Sequence, residues 1–112
     1  MNITQKFKVK TDADGAYSTE ETVNPPGPFG FTVEIKAKLV APEATTIKGT
    51  LDINGAGGSP QNDTRDFSVN TGEEAKLGKW KLAGGDNIIK VSGQTSPTRA
   101  NVQLEIEVIA EI

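Results

Sequence analysis

The end of the chain alternates between apolar and polar residues more regularly than any other part. Apolar residues occupy every second position from Val102 to Ile112, and polar residues fill most of the positions between them. Successive side chains of a β-strand point to opposite faces, whereas a helix would place its apolar residues three and four positions apart. The segment is therefore predicted to be a strand with Ile106 on its buried face and Ile109 on its polar face.

The same alternation recurs along the whole chain. Further runs start near Ile3, Tyr17, Phe31, Ile47, Phe67, Trp80 and Ile89. Residues that favour turns separate them, so seven to nine short strands are predicted, which is typical of an antiparallel sandwich or barrel. With 112 residues the chain has the length of one domain, and residues 1–112 are predicted to form a single β-sandwich.

Two glycine-containing regions carry specific predictions. Asn54–Asp66 is rich in Gly, Ser, Asn and Asp and is predicted to be the longest irregular segment and the most mobile internal loop. Gly49 lies on the apolar face of its strand, which predicts a bulge or a close backbone approach at that position.

Two later connections are less regular. Ala83-Gly84-Gly85-Asp86 has the composition of a hairpin turn, so the strands on either side are predicted to pair with each other. The stretch Thr71–Gly78 is ambiguous, and one helical turn through Glu73–Ala75 is an open alternative.

Composition excludes several classes of function. Cysteine and histidine are absent, which removes the thiol nucleophile, the usual general base and the commonest zinc ligands. We therefore predict no catalytic residues, no cofactor and no enzymatic activity.

The net charge is −3 with lysines and acids interspersed, so no nucleic-acid partner is expected. No run approaches the ~20 apolar residues that span a bilayer, so no membrane partner is expected either. The cellular compartment is left undetermined.

Several acidic residues are spaced as metal ligands or catalytic pairs could be. Asp12-x-Asp14-Gly15 looks like the start of a calcium loop, but Asp and Gly in this order are equally typical of a turn. No metal site is predicted, although one that uses Asp63 or Asp66 stays open. The adjacent pairs Glu20-Glu21 and Glu73-Glu74 would point to opposite faces of a strand and form no glycosidase pair.

Four stretches between residues 30 and 112 carry a family resemblance. They are an aromatic-led strand at Gly30–Ile35, a strand ending in Asn-Gly at Leu51–Gly55, the stretch Trp80–Val91, and the strand from Val102. Together they resemble the jelly-roll, galactose-binding-like β-sandwiches of carbohydrate-binding modules. The resemblance covers about residues 30 to 112, and it implies a jelly-roll fold and non-catalytic binding of carbohydrate.

The ligand-binding residues are predicted from this resemblance and from their position in loops. Tyr17 and Phe29 are predicted to offer an apolar surface, whereas the hydrogen bonds are assigned to Asn62, Arg65, Arg99 and Asn101. Trp80 is in phase with Leu82 and is predicted to lie in the core.

A structural or assembly protein, such as a virion or surface component without a small-molecule ligand, is the alternative function. A glycan or a protein is the predicted partner, and edge strands offer a route to self-association.

Overall fold

Eight antiparallel strands build two four-stranded sheets. The computed structural model describes residues 2–24, 31–41, 43–55 and 63–111. Its strands are β1 (Asn2–Lys10), β2 (Ala16–Val23), β3 (Phe31–Val40), β4 (Thr46–Asn54), β5 (Asp63–Asn70), β6 (Glu74–Leu82), β7 (Asn87–Ser96) and β8 (Gln103–Glu111). No helix occurs among these residues, so the prediction of an all-β sandwich is confirmed.

The topology is that of a long hairpin rolled into a sandwich. The first sheet has the order β1-β8-β3-β6 and the second the order β2-β7-β4-β5. Strands 1 and 8, 2 and 7, 3 and 6, and 4 and 5 pair antiparallel, and rolling adds the pairs β3–β8 and β4–β7. This order is a jelly roll, as the resemblance implied.

One apolar core fills the space between the sheets. It consists of the alternate residues predicted to face inward, among them Val33, Ile35, Leu51, Leu104 and Ile106, each at most 1% exposed. The final strand lies between β1 and β3, so it is a central strand rather than an edge. The edge strands are β1 and β6 in one sheet and β2 and β5 in the other, which moves the predicted route of self-association away from the C-terminal strand.

The predicted hairpin at Ala83–Asp86 is wrong. Strand β6 belongs to the first sheet and β7 to the second, so this connection crosses between the sheets. The fully buried Asn87 anchors it, since its Nδ2 donates to the carbonyl oxygens of Ala83 (2.9 Å), Gly85 (3.1 Å) and Val23 (3.3 Å). Turn composition permits a reversal of direction but does not decide which sheet receives the next strand.

Two further local predictions are corrected by the strand bounds. The helical alternative at Glu73–Ala75 is wrong, because the amide of Glu73 closes a turn on the Asn70 carbonyl oxygen (3.0 Å) and β6 starts at Glu74. The segment predicted to be irregular through Asp66 ends earlier, since β5 starts at Asp63. Residues 56–62 of that segment lie outside the described part of the chain, so its predicted mobility stays a prediction.

Gly49 allows a close backbone approach and not a bulge. It stands in register with Gly93 on the neighbouring strand, with Tyr17 and Phe67 at the ends of the same row and no shift in register. The Tyr17 ring lies across this row, and its hydroxyl donates to the carbonyl oxygen of Lys48 at 3.5 Å. A Cβ atom on Gly49 would overlap that hydroxyl. The two glycines thus make room for the tyrosine inside the sandwich.

We expect Gly93→Ala to destabilise the protein by about 3 kcal/mol, the upper end of the usual cost of overpacking, because the neighbouring group is rigid. The new Cβ would overlap the Lys48 carbonyl oxygen, which is backbone and cannot rotate away. Urea unfolding followed by circular dichroism measures the loss. Gly72→Ala is the matched control, since no atom lies within 4 Å of its Cβ and its φ of 84° costs only about 1 kcal/mol. Equal losses in the two variants would contradict this account.

Candidate functional site

The two outer faces of the sandwich differ in chemistry. On the first sheet, lysines pair with glutamates. Lys6–Glu107, Lys8–Glu105 and Lys79–Glu34 join neighbouring strands, and Lys36–Glu34 lies along β3. These charges are already matched, and the space between Lys8, Lys36 and Glu107 holds only about 40 Å³. A space of this size admits little more than a water molecule. The outer face of the first sheet is therefore dominated by matched ion pairs, and this space is too small for a sugar.

The second sheet carries an open groove of about 660 Å³ on its outer face. That volume lies within the range of 300–1,000 Å³ typical of small-molecule sites. The groove is lined by residues of β4, β5 and β7, namely Lys48, Gly49, Thr50, Asp66, Phe67, Ser68, Gly93 and Gln94. Because Gly49 and Gly93 have no side chains, backbone forms part of this surface. We call this feature the β4–β5–β7 groove.

Polar side chains on the outer face of the second sheet, in and beside the groove, are arranged in cross-strand rows, and one of these rows makes no hydrogen bonds with other described residues. The Thr46 hydroxyl donates to Asn70 Oδ1 (2.6 Å) and the Thr50 hydroxyl to Asp66 Oδ1 (3.2 Å). Between these rows lie Gln94, Lys48 and Ser68, which are in register across β7, β4 and β5. Their side chains make no hydrogen bond or ion pair with the described part of the chain. We call these three residues the open row.

The open row combines an ammonium group, a carboxamide and a hydroxyl. Lys48 donates, whereas Gln94 and Ser68 both donate and accept. Among the described residues that line the groove, only Lys48 and Asp66 are charged, and their charges cancel. A phosphate ligand would call for several cations, so the arrangement favours an uncharged ligand with several hydroxyl groups.

A second polar cluster closes the edge of the sandwich between β5 and β6. Trp80 is 4% exposed, which agrees with its prediction as a core residue, and the Arg65 guanidinium carbon lies 4.7 Å from the centre of its ring. Asp63 Oδ2 accepts hydrogen bonds from Trp80 Nε1 (2.8 Å) and Arg65 Nε (2.9 Å). These two bonds, the one from Trp80 first, hold the pKa of the Asp63 carboxyl below its usual range. We call Asp63, Arg65 and Trp80 the Arg65 cluster.

Arg99 and Asn101 lie in the β7–β8 connection, away from Arg65. The Arg99 guanidinium pairs with Glu43 Oε2 at 2.6 Å, and its Nε is buried without a hydrogen-bond partner. Asn101 adopts a positive φ of 59°, and its amide donates to the Thr11 carbonyl oxygen (3.0 Å). Asparagine tolerates this backbone conformation better than most residues. Both residues therefore order this end of the sandwich, together with Thr11.

The predicted ligand-binding residues do not converge on one place. Tyr17 is 6% exposed, and burial raises the pKa of its phenol, so it presents no apolar surface to solvent. This prediction is corrected: the ring is needed in the core because it fills the space above two glycines. Phe29 and Asn62 lie outside the described residues. Arg65 stays a candidate, at the opposite end of the sandwich from Arg99 and Asn101.

The sequence reasoning missed all three residues of the open row. Lys48, Ser68 and Gln94 are separated by 20 and 26 positions, and nothing local connects them. The only signal was Gly49, whose position on an apolar face indicated a close approach of neighbouring strands.

The acidic residues considered as metal ligands are used otherwise. Asp12 Oδ1 accepts hydrogen bonds from the amides of Asp14 (2.9 Å) and Ala16 (3.0 Å), which is the geometry of an Asx turn. Asp63 binds Arg65 and Trp80, as described above. In the described part of the chain, no three acidic residues are grouped as metal ligands. No helix there is long and apolar enough to cross a bilayer.

The chain resembles known proteins in its three-dimensional structure but not in its sequence. The sequence matches no protein-family model and no curated protein. The structure is similar to that of TmCBM61 in complex with β-1,4-galactotriose, with a TM-score of 0.45 and 20% identity. It is also similar to a ruminal GH26 endo-β-1,4-mannanase, with a TM-score of 0.41 and 16% identity. The match covers 92% of this chain in both cases, but 66% of the first and 19% of the second.

Proposed function

We propose that the chain is a non-catalytic module that binds a neutral carbohydrate in the β4–β5–β7 groove. The observation that carries this proposal is the open row, where three side chains with unused hydrogen-bonding capacity lie in register inside a groove of about 660 Å³. Sugar hydroxyls both donate and accept hydrogen bonds, and the open row supplies partners for both.

The flanking rows support the same ligand class. Thr46 with Asn70 and Thr50 with Asp66 are already hydrogen-bonded, so they hold their side chains in place on both sides of the open row. A groove with prearranged walls loses little conformational entropy when a ligand binds. Of the described aromatic residues, Phe67 alone lines the groove, and that ring is partly buried against the core. Binding therefore depends on hydrogen bonds more than on stacking, which predicts modest affinity.

We expect Lys48→Ala, Ser68→Ala and Gln94→Ala each to weaken carbohydrate binding by about threefold to tenfold, the effect of losing one net hydrogen bond. The triple variant should not bind at all. A panel of neutral oligosaccharides that includes β-1,4-galactotriose provides the ligands, and isothermal titration measures affinity. Because these side chains make no hydrogen bond or ion pair with the described part of the chain, thermal stability should stay nearly unchanged.

Lys8→Ala is the matched control, since Lys8 lies on the outer face of the other sheet and its side chain is 60% exposed. It should leave affinity unchanged. Equal losses in the control and the groove variants would contradict the proposed site. If no oligosaccharide binds and the chain has the mass of an oligomer in solution, the carbohydrate proposal fails and an assembly function through the edge strands replaces it.

A further inference from the structure

The Arg65 cluster has hydrogen-bonding capacity that the fold does not use. Asp63 binds only Nε of the guanidinium, and neither Nη nitrogen bonds another described residue. The Arg65 side chain is 49% exposed, so about half of its surface is in contact with solvent. Two parallel N–H groups at the end of a guanidinium match the two oxygens of a carboxylate.

Three contacts hold the guanidinium in one position. Trp80 lies beneath it, Asp63 binds its Nε, and Gly78 leaves the space that it occupies. A Cβ atom on Gly78 would come within 2.7 Å of Arg65 Nη1 and 2.9 Å of Trp80 Cη2. The Asp63 carboxylate also offsets the arginine charge, so the cluster is close to neutral before a ligand binds. Arginine prearranged in this way loses less conformational entropy on binding than a free side chain.

The cluster lies on the strand that also contributes to the proposed sugar groove. Arg65 and Ser68 are three residues apart on the edge strand β5, about 10 Å along a strand. Their side chains point to opposite faces of this strand. Because β5 has no neighbour on its outer side, a bound chain can pass around that edge.

We propose that the Arg65 cluster is a second binding site, which binds the carboxylate of a uronic acid residue. The two Nη nitrogens of Arg65, whose guanidinium lies over the Trp80 ring, would donate to the carboxylate oxygens. This inference rests on the proposed function, because the uronate is understood as part of a polysaccharide whose neutral residues occupy the groove. The carboxylate binds Nη1 and Nη2 of Arg65, while Asp63 keeps Nε.

The test uses the single tryptophan of the chain, which lies directly under the proposed site. The full chain is titrated with galacturonic acid and, separately, with galactose, two sugars that differ only in the oxidation of C6. We expect galacturonate to change Trp80 emission with saturation, and galactose to leave it unchanged. The response should decrease with added salt, as for any exposed charge pair. Equal responses to the two sugars, or none to galacturonate, would overturn the proposal.

Arg65→Lys keeps the positive charge but removes the paired N–H donors of the guanidinium. We therefore expect galacturonate affinity to fall by about tenfold or more, the loss of one charge-assisted bond. Arg99→Lys, at the other end of the sandwich, is the matched control and should bind as the unmodified chain does.

The Lys48, Ser68 and Gln94 triple variant should lose binding of neutral oligosaccharides but keep the galacturonate response. This result separates failure of the groove from failure of this site. If acetate or a capped triglutamate peptide binds as tightly as galacturonate, the uronate assignment is wrong.

Discussion

Ile106→Lys should prevent the protein from folding. Ile106 is fully buried on the central strand β8, opposite Phe7 on one neighbour and Ala37 on the other. In the part of the chain that the structure describes, the buried polar side chains are Thr11, Thr45, Asn87 and Thr95, and none of them is acidic. A buried, unpaired ammonium group costs several kcal/mol. That penalty is comparable with the whole stability of a domain, about 5 to 15 kcal/mol. Far-ultraviolet circular dichroism and size-exclusion chromatography of the purified variant measure the loss.

Ile109→Lys is the matched control for that experiment. Ile109 lies three residues further along the same strand on the outer face, between Thr4 and Glu34. A lysine there would join the alternating charges of the first sheet, so we expect folding to be retained and the melting temperature to change little. If Ile109→Lys unfolds the protein while Ile106→Lys is tolerated, the inward and outward faces of β8 have been interchanged.

Trp80→Ala should reduce the free energy of unfolding by about 3 to 5 kcal/mol, through lost burial and the cavity that remains. The variant also removes the surface on which the Arg65 guanidinium lies and one of the bonds that hold Asp63. Urea unfolding measures the change. In the unmodified chain, native emission from Trp80 should be blue-shifted and should move to longer wavelength on unfolding.

Trp80→Phe is the control, because phenylalanine keeps most of the apolar volume and loses only the indole N–H. We expect it to cost clearly less than alanine. A native emission maximum already at the wavelength of exposed tryptophan, or equal destabilisation by the two substitutions, would contradict the burial of Trp80 at the β5–β6 edge.

The inward and outward faces of the strands were predictable from the sequence because side-chain alternation is a local property of an extended chain. Ile106 and Ile109 were assigned to opposite faces from their spacing alone, and the structure agrees. Trp80 was placed in the core for the same reason. Local turn chemistry was less reliable, as Ala83–Asp86 and Glu73–Ala75 demonstrate, because a turn motif does not specify the partner of the strand that follows.

Pairing and register were decided only by the tertiary structure, and both candidate sites depend on them. The jelly roll pairs β1 with β8 and β4 with β7, so contacts join residues far apart in the chain. A change of one residue in register would turn Lys48 inward and close the open row, since strand side chains have a period of two. Trp80 and Arg65 meet because two edge strands of different sheets lie opposite each other. Alternation determined which face of each strand is buried, while packing of the two sheets determined which exposed side chains became neighbours.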